Sequence, residues 1–221
     1  MFKRCYRCYK PQKACLCDYI RPIDTGIKFV LLMHPKEAYQ QKTGTGRLAS
    51  QSLIDSEILI GIDFTDNARL NALLDSSGEG AAYQPFLLFP GEKAWHTEDP
   101  GFPDLLSGKK PLVIIVDATW FFAKKILRLS SNLHDLPTLS FRNSYRSQFE
   151  FKTQPAPECL STIESAYYLI EEFKSNNLIS AEVDPSGLMK VFHEMVRYQL
   201  ACEQIRHEAM AAELYPELFQ N

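Results

Sequence analysis

Short apolar runs, each closed by Pro, Gly or a polar stretch, alternate along this chain with segments of helical period. Ile27 to Met33 predicts a first strand, ended by His34-Pro35. Glu57 to Ile62 predicts a second strand, and Phe86 to Phe89, ended by Pro90-Gly91, a third. Leu112 to Val116 is mostly β-branched and has no polar alternate, which suits a strand covered on both faces of a parallel sheet. Leu136 to Phe141 reads as a fifth strand. Between these, Leu48 to Leu53 reads as a helix, as does Asp66 to Leu74 with Thr65 or Asp66 as its cap. Thr119 opens a helix with Phe122, Ala123, Ile126 and Leu127 on one face and Lys124, Lys125 and Arg128 near the other edge. Ser161 and Glu164 have capping-box spacing at the head of a helix that runs to about Lys174. Asp184-Pro185 begins a last helix, with Leu188, Val191, Phe192, Met195 and Gln199 along one side, to cover a sheet face or meet a partner subunit. The stretches 36–45, 94–110 and 142–157 carry no regular period.

Strands alternating with helices predict an α/β fold with a mainly parallel sheet flanked by helices. Three loops then meet at the carboxyl edge of the sheet, where such folds hold their ligands: the one after Phe89, the one after Val116, and the one leading into Ser161. Asp117 stands directly after the central strand. It is either a helix cap or a functional carboxylate in the cleft. Gly44-Thr45-Gly46-Arg47 is either a plain turn into a helix or a loop that presents amides and Arg47 to an anion. Arg142, Tyr145, Arg146 and Lys152, interleaved with Phe149 and Phe151, form either an anion- and base-binding loop or a solvated loop anchored by its aromatics. Trp95 and His96 suit a loop that packs its own side chains better than a base platform.

Charge and cysteine placement sharpen this outline. Up to Arg47 there are 10 Lys and Arg against 3 acids, a net of +7, whereas the remainder carries 14 against 24, a net of −10. A basic end on an acidic body predicts contact with a polyanion. Cys5, Cys8, Cys15 and Cys17 have the spacing C-x2-C-x6-C-x-C, which in a reducing compartment favours one tetrahedral structural Zn²⁺ over disulfides, with a redox or iron–sulfur role and unbound thiols as the alternatives. Cys159 and Cys202 stand apart and read as buried small apolar side chains. The sequence shows no secretory leader and no membrane span, so a cytoplasmic location is expected. A division into a zinc knuckle, 1–24, and a main domain, 25–221, follows.

Several spaced blocks together resemble the DTW-domain family of tRNA-uridine aminocarboxypropyltransferases. They are Asp117-Ala118-Thr119-Trp120 with Ala123-Lys124-Lys125-Ile126, the four cysteines with Pro11, and His34-Pro35 with Glu37 and Thr45-Gly46-Arg47-Leu48. Tyr145-Arg146 and Leu160-Ser161-Thr162-Ile163-Glu164 complete the set. One departure is Gln148, where family members often carry a second basic residue. The family is similar to the SPOUT methyltransferases, which implies a C-terminal knot and S-adenosylmethionine as donor. The resemblance implies transfer of the 3-amino-3-carboxypropyl group to N3 of a tRNA uridine, with Asp117 as base or orienter. It puts Pro90, Gly91, Thr119, Trp120, Leu160, Ser161 and Thr162 around the donor, and Arg47, Lys124, Arg142, Tyr145 and Arg146 toward its carboxylate or the RNA. A SPOUT-like RNA methyltransferase and a non-catalytic zinc-containing RNA-binding maturation factor are the alternatives. The sequence is compatible with a monomer or a homodimer.

Overall fold

A strand without polar alternates must be covered on both faces, and the computed structural model of the chain is built that way. It describes residues 4–41, 43–149 and 159–214. Five strands form one sheet: β1 (Lys28–Met33), β2 (Ser56–Ile60), β3 (Tyr83–Leu88), β4 (Lys110–Asp117) and β5 (Thr138–Leu139). Their order is β2-β1-β4-β3-β5, and all four pairings are parallel. Seven helices are described: α1 (Pro35–Tyr39), α2 (Gly46–Ser52), α3 (Ala68–Leu74), α4 (Phe102–Leu106), α5 (Trp120–Leu129), α6 (Thr162–Ser175) and α7 (Ser186–Leu214).

The two-residue side-chain period of the central strands sorts the core into two layers. Phe29, Leu31, Val113 and Ile115 face a layer completed by α2, α4, α6 and α7, through residues such as Leu48, Phe102, Ile170 and Phe192. Val30, Leu32, Leu112 and Ile114 face the other side, where Leu70 and Leu73 of α3 and Ile126 of α5 cover them. Cys8, Leu16 and Ile20 of the N-terminal segment belong to the first layer, so the cysteine segment is packed into the core of the main body. Only the first half of α7 takes part; from Arg197 onward its described residues are mostly exposed.

Several expectations shift on contact with the structure. The stretch read as a polar loop after His34 holds α1, because Pro35 at its first turn and the His34 cap favour a helix start there. Among residues 94–110, α4 forms with Pro103 in its first turn. The fifth strand is cut to Thr138–Leu139, since Pro137 has no amide to donate. The cap of α3 is Asn67, whose Oδ1 accepts from the Leu70 amide at 2.9 Å; Asp63, not Thr65 or Asp66, closes the turn before it. Trp95 bridges to Leu139 through backbone bonds, in agreement with a loop that packs its own side chains. Cys202 is exposed, contrary to the buried reading, because it lies on the outer half of α7; Cys159 is buried as expected.

Candidate active-site cleft

All-parallel strands bring every carboxyl end to one edge, and a cleft of about 620 Å³ opens there. Its floor is the end of β4. Asp117 is the last residue of that strand, in register with Met33 of β1, and is only 6% exposed. It does not cap α5; Thr119 occupies that position. The Asp117 carboxylate reaches across the cleft instead, and its Oδ1 accepts from the Thr162 hydroxyl at 2.7 Å. Thr162 is the first residue of α6, set there by Ser161, whose amide and hydroxyl both donate to Glu164 Oε2 at 2.9 and 2.6 Å. The capping box read from sequence thus has a second consequence: it fixes the hydroxyl that orients Asp117.

Gly46 approaches the same carboxylate from the other side. A Cβ added there would lie 2.1 Å from Asp117 Oδ2 and 2.9 Å from Met33 Cε, both closer than atoms can pack. The glycine is required by proximity, not by an unusual backbone angle. Gly46→Ala is therefore expected to push Asp117 off its place. We expect overpacking of about 1–3 kcal/mol in urea unfolding and a fall of about 100-fold in turnover, since small displacements at a reacting centre cost that much. A Gly46→Ala protein with full turnover would show that the Asp117 position does not matter.

The far wall of the cleft is the segment from Ser140 to Phe149, with Phe141, Asn143, Ser144 and Tyr145 lining it. It has no helix or strand of its own. A ridge on α6 with four-residue spacing holds it: Glu164, Tyr168 and Glu172. Glu164, fully buried, accepts from the Ser147 hydroxyl at 2.9 Å and the Gln148 amide at 2.6 Å. Tyr168 stacks on Tyr145 with ring centroids 4.0 Å apart. Glu172 accepts from the Tyr145 hydroxyl at 3.0 Å, and also from Thr97 and Asn143. Burial raises the Glu172 carboxyl against the pull of these donors, and burial beside Glu172 pushes the Tyr145 phenol up to about 12. The phenol thus keeps its proton at neutral pH and donates it to the carboxylate. Gln148, the departure from the family pattern, bonds His193 of α7 at 2.7 Å. Sequence reading missed Glu172. Its signal was a polar position at i+8 from Glu164 on an otherwise apolar face.

The cleft gathers Pro90, Asp117, Thr119, Trp120, Leu160, Ser161, Thr162, Arg142 and Tyr145 from the candidate residues, and adds Glu37, Phe89 and Phe141. Trp120 donates its indole N–H to Cys159 Sγ at 3.0 Å and packs at a tilt on Phe89. Gly91, Arg47, Lys124 and Arg146 lie outside its lining. Arg47 stacks over the Tyr9 ring at 4.2 Å and donates to the Ala38 carbonyl, tying α1 and α2 to the cysteine segment. Arg142 is exposed and paired with Glu98 and Asp99, each at 2.5 Å. Lys124 and Arg146 are exposed. Phe151 and Lys152 lie outside the described residues.

The four N-terminal cysteines converge. Their sulfur atoms lie within 4.8 Å of one another, with Cys5 to Cys17 at 3.5 Å and Cys8 to Cys15 at 3.8 Å. Tetrahedral zinc–thiolate bonds would set sulfurs about 3.8 Å apart, so the donor set and its spacing fit such an ion. Amides of Cys8 and Arg7 draw the Cys5 thiol down to about 6, while burial and neighbouring thiols push Cys17 up to about 12. Were all four to ionise, thiolates this close would need a cation among them to offset their charge. Lys10, between the pairs, is buried and donates to the Gly44 carbonyl at 3.3 Å, and Gln51 of α2 donates to the Arg7 carbonyl. The segment is thereby tied to the loop at residues 43–45 that lines the cleft.

The DTW domain family matches this chain over residues 2–200. Similar curated proteins carry the name tRNA-uridine aminocarboxypropyltransferase 2. The Macaca fascicularis protein is 28% identical over 79% of this chain and 58% of its own length. The Mus musculus protein is likewise 28% identical over 79% of this chain and 58% of its own. The Drosophila melanogaster protein is 27% identical over 93% of this chain and 78% of its own. The chain thus spans little more than half the length of the two mammalian relatives. No solved structure matches it.

Proposed function

The chain belongs to the DTW domain family, and from that premise we propose that it transfers the 3-amino-3-carboxypropyl group of S-adenosylmethionine to N3 of a uridine in tRNA. The observation that carries this reading is the buried Asp117 carboxylate at the end of the central strand, facing the cleft and held by Thr162. The relatives' name supplies the reaction class. A SPOUT-like knot, a structural zinc ion and a cytoplasmic location belong to the same proposal, as does the division into a knuckle, 1–24, and a catalytic domain, 25–221.

The cleft suits the donor in size and lining. Its volume of about 620 Å³ falls within the range of small-ligand sites, about 300–1,000 Å³. Leu88, Phe89, Ile115 and Leu139 offer apolar walls for an adenosine, and Pro90 with Leu160 closes its edge. Glu37 and Asp117 with the nearby ring of Trp120 favour a sulfonium cation. Thr119, Ser161 and Thr162 present polar groups to it, and Gly91 belongs to the donor site in this reading through the turn it forms with Pro90. The bound donor supplies an activated γ-carbon: the N3–carbon bond forms as the carbon–sulfur bond breaks, and the electron pair stays on sulfur in a neutral thioether. Asp117 accepts the N3 proton or holds the uracil by it, and Thr162 keeps the carboxylate aimed. Tyr145 forms the wall opposite, positioned through Glu172. Arg47, Lys124, Arg142 and Arg146 are, in this reading, the cations for the RNA backbone or the donor carboxylate.

The test is donor labelling. Bulk tRNA incubated with the protein should take up label from S-adenosylmethionine labelled in its carboxyl carbon and none from donor labelled in its methyl group. Uptake from the methyl group alone would instead make the chain an RNA methyltransferase.

A further inference from the structure

An aromatic and basic strip runs along one rim of the cleft, and of its members only Arg47 and Lys124 are given a role above. It can be followed contact by contact. Tyr9 lies against Arg47, and Arg47 donates to Ala38 in α1. On that same short helix Lys36 lies over the Phe122 ring at 4.9 Å, and Phe122 meets Phe121 edge-on at 5.3 Å. His34 stacks flat on Phe122 itself, with centroids 4.0 Å apart and planes 17° from parallel. Burial, with the charges of Lys36 and then Lys125, holds the His34 imidazole below its ordinary range. His34 is thus a neutral support for the strip; its Nδ1 accepts from the Lys36 amide.

Three properties stand out. Large apolar side chains at its surface are unusually exposed: Phe121 is 75% and Tyr39 68% exposed. The cations lack acidic partners: among the described residues, Lys36, Lys124, Lys125 and Arg128 form no ion pair with an acid, whereas other cations, such as Lys28, Arg69 and Arg142, do. Finally, α5 contains no acidic residue, and the strip borders the cleft directly, since Glu37 of α1 and Trp120 of α5 line it. Exposed rings among unpaired cations match a polyanion that carries flat apolar faces. Protein partners with acidic surfaces would satisfy the cations but leave Phe121 and Tyr39 without a flat partner, and duplex RNA would hide its base faces in the stack.

We propose that this strip binds an unpaired stretch of RNA next to the target uridine, with bases stacked on Phe121 and Tyr39 and phosphates on Lys36 and Lys125. The proposal rests on the reading of the cleft as a tRNA-modifying site. It assigns to α5 two tasks: its head lines the cleft, and its outer face grips the strand that feeds it.

The experiment uses the full chain and a fluorescein-labelled oligouridylate, read by fluorescence anisotropy across a salt series. A hairpin duplex of the same length serves as competitor, and S-adenosylmethionine binding is followed separately by calorimetry. Phe121→Ala should weaken oligouridylate binding about tenfold, or about 1.4 kcal/mol, with donor binding and melting unchanged. Lys36→Ala with Lys125→Ala should lower the salt slope by about 1.4, from about 0.7 per phosphate contact on a single strand. The duplex should compete poorly. Unchanged affinity in Phe121→Ala together with an unchanged salt slope in the lysine pair would overturn the strip, as would a duplex that competes equally. A chain that binds oligouridylate through Phe121 but neither binds S-adenosylmethionine nor modifies tRNA would leave the strip standing and remove the transferase reading.

Discussion

Asp117→Asn is expected to lower the single-turnover rate of uridine modification by about 10²–10⁴-fold, the range for loss of a positioned proton acceptor, while the protein stays folded and still binds its donor. Asparagine keeps the size of the side chain, and its Oδ1 can still accept the Thr162 hydroxyl that now meets Asp117 at 2.7 Å. The buried position, 6% exposed, therefore keeps its packing against Met33 and Gly46. What is lost is the charge and the capacity to take a proton. Calorimetry with S-adenosylmethionine separates the two tasks this carboxylate can perform. A rate loss with donor affinity held within a few-fold assigns Asp117 to the uridine. A matching loss of donor affinity assigns it to the sulfonium. A variant with unimpaired turnover would remove Asp117 from the chemistry altogether.

The second large effect is expected at the other end of the chain. Cys8→Ser with Cys15→Ser should abolish the zinc binding proposed for the four sulfurs and lower the melting temperature. The cysteine segment is not an appendage: Cys8, Leu16 and Ile20 are buried in the same apolar layer as α2, α6 and α7. If the metal-free segment detaches, Leu16 and Ile20 return to water at about 1.5–3 kcal/mol each. For a chain of this size that corresponds to a drop on the order of 10 °C. The effect reaches the cleft as well, because Lys10 holds the Gly44 carbonyl and Arg47 rests on Tyr9. Metal analysis of the anaerobically purified protein and a thermal melt provide the check. Stoichiometric zinc in wild type and none in the variant, with the lower melt, is the expected pair of results. A metal-free wild type, or an unchanged melt, would contradict it.

The sequence was most informative where one residue type serves one physical purpose. Leu112 to Val116, without a polar alternate, specified a doubly covered central strand, and it lies between β1 and β3. Four close cysteines specified a cluster, and their sulfurs converge. Ser161 and Glu164 specified a helix start. Reading left roles open where they depend on what the fold brings to a residue from afar. Asp117 read locally as either a cap or a cleft carboxylate, and what decides is its partner Thr162, 45 positions away. Gly46 had the look of an anion loop, yet its need is the space taken by Asp117. Glu172 was not singled out, since it is the segment at residues 140–149, returning across α6, that sets Tyr145 on it. Arg47 and Arg142 looked alike as anion holders; the fold stacks one on Tyr9 and pairs the other with Glu98 and Asp99.

The most direct test of the account is mass spectrometry of nucleosides digested from tRNA that has been incubated with the pure protein and S-adenosylmethionine, with Asp117→Asn run alongside. The account predicts a uridine carrying the aminocarboxypropyl group in the wild-type reaction and little or none with the variant. A methylated nucleoside, or an aminocarboxypropyl product formed equally by both proteins, would contradict it.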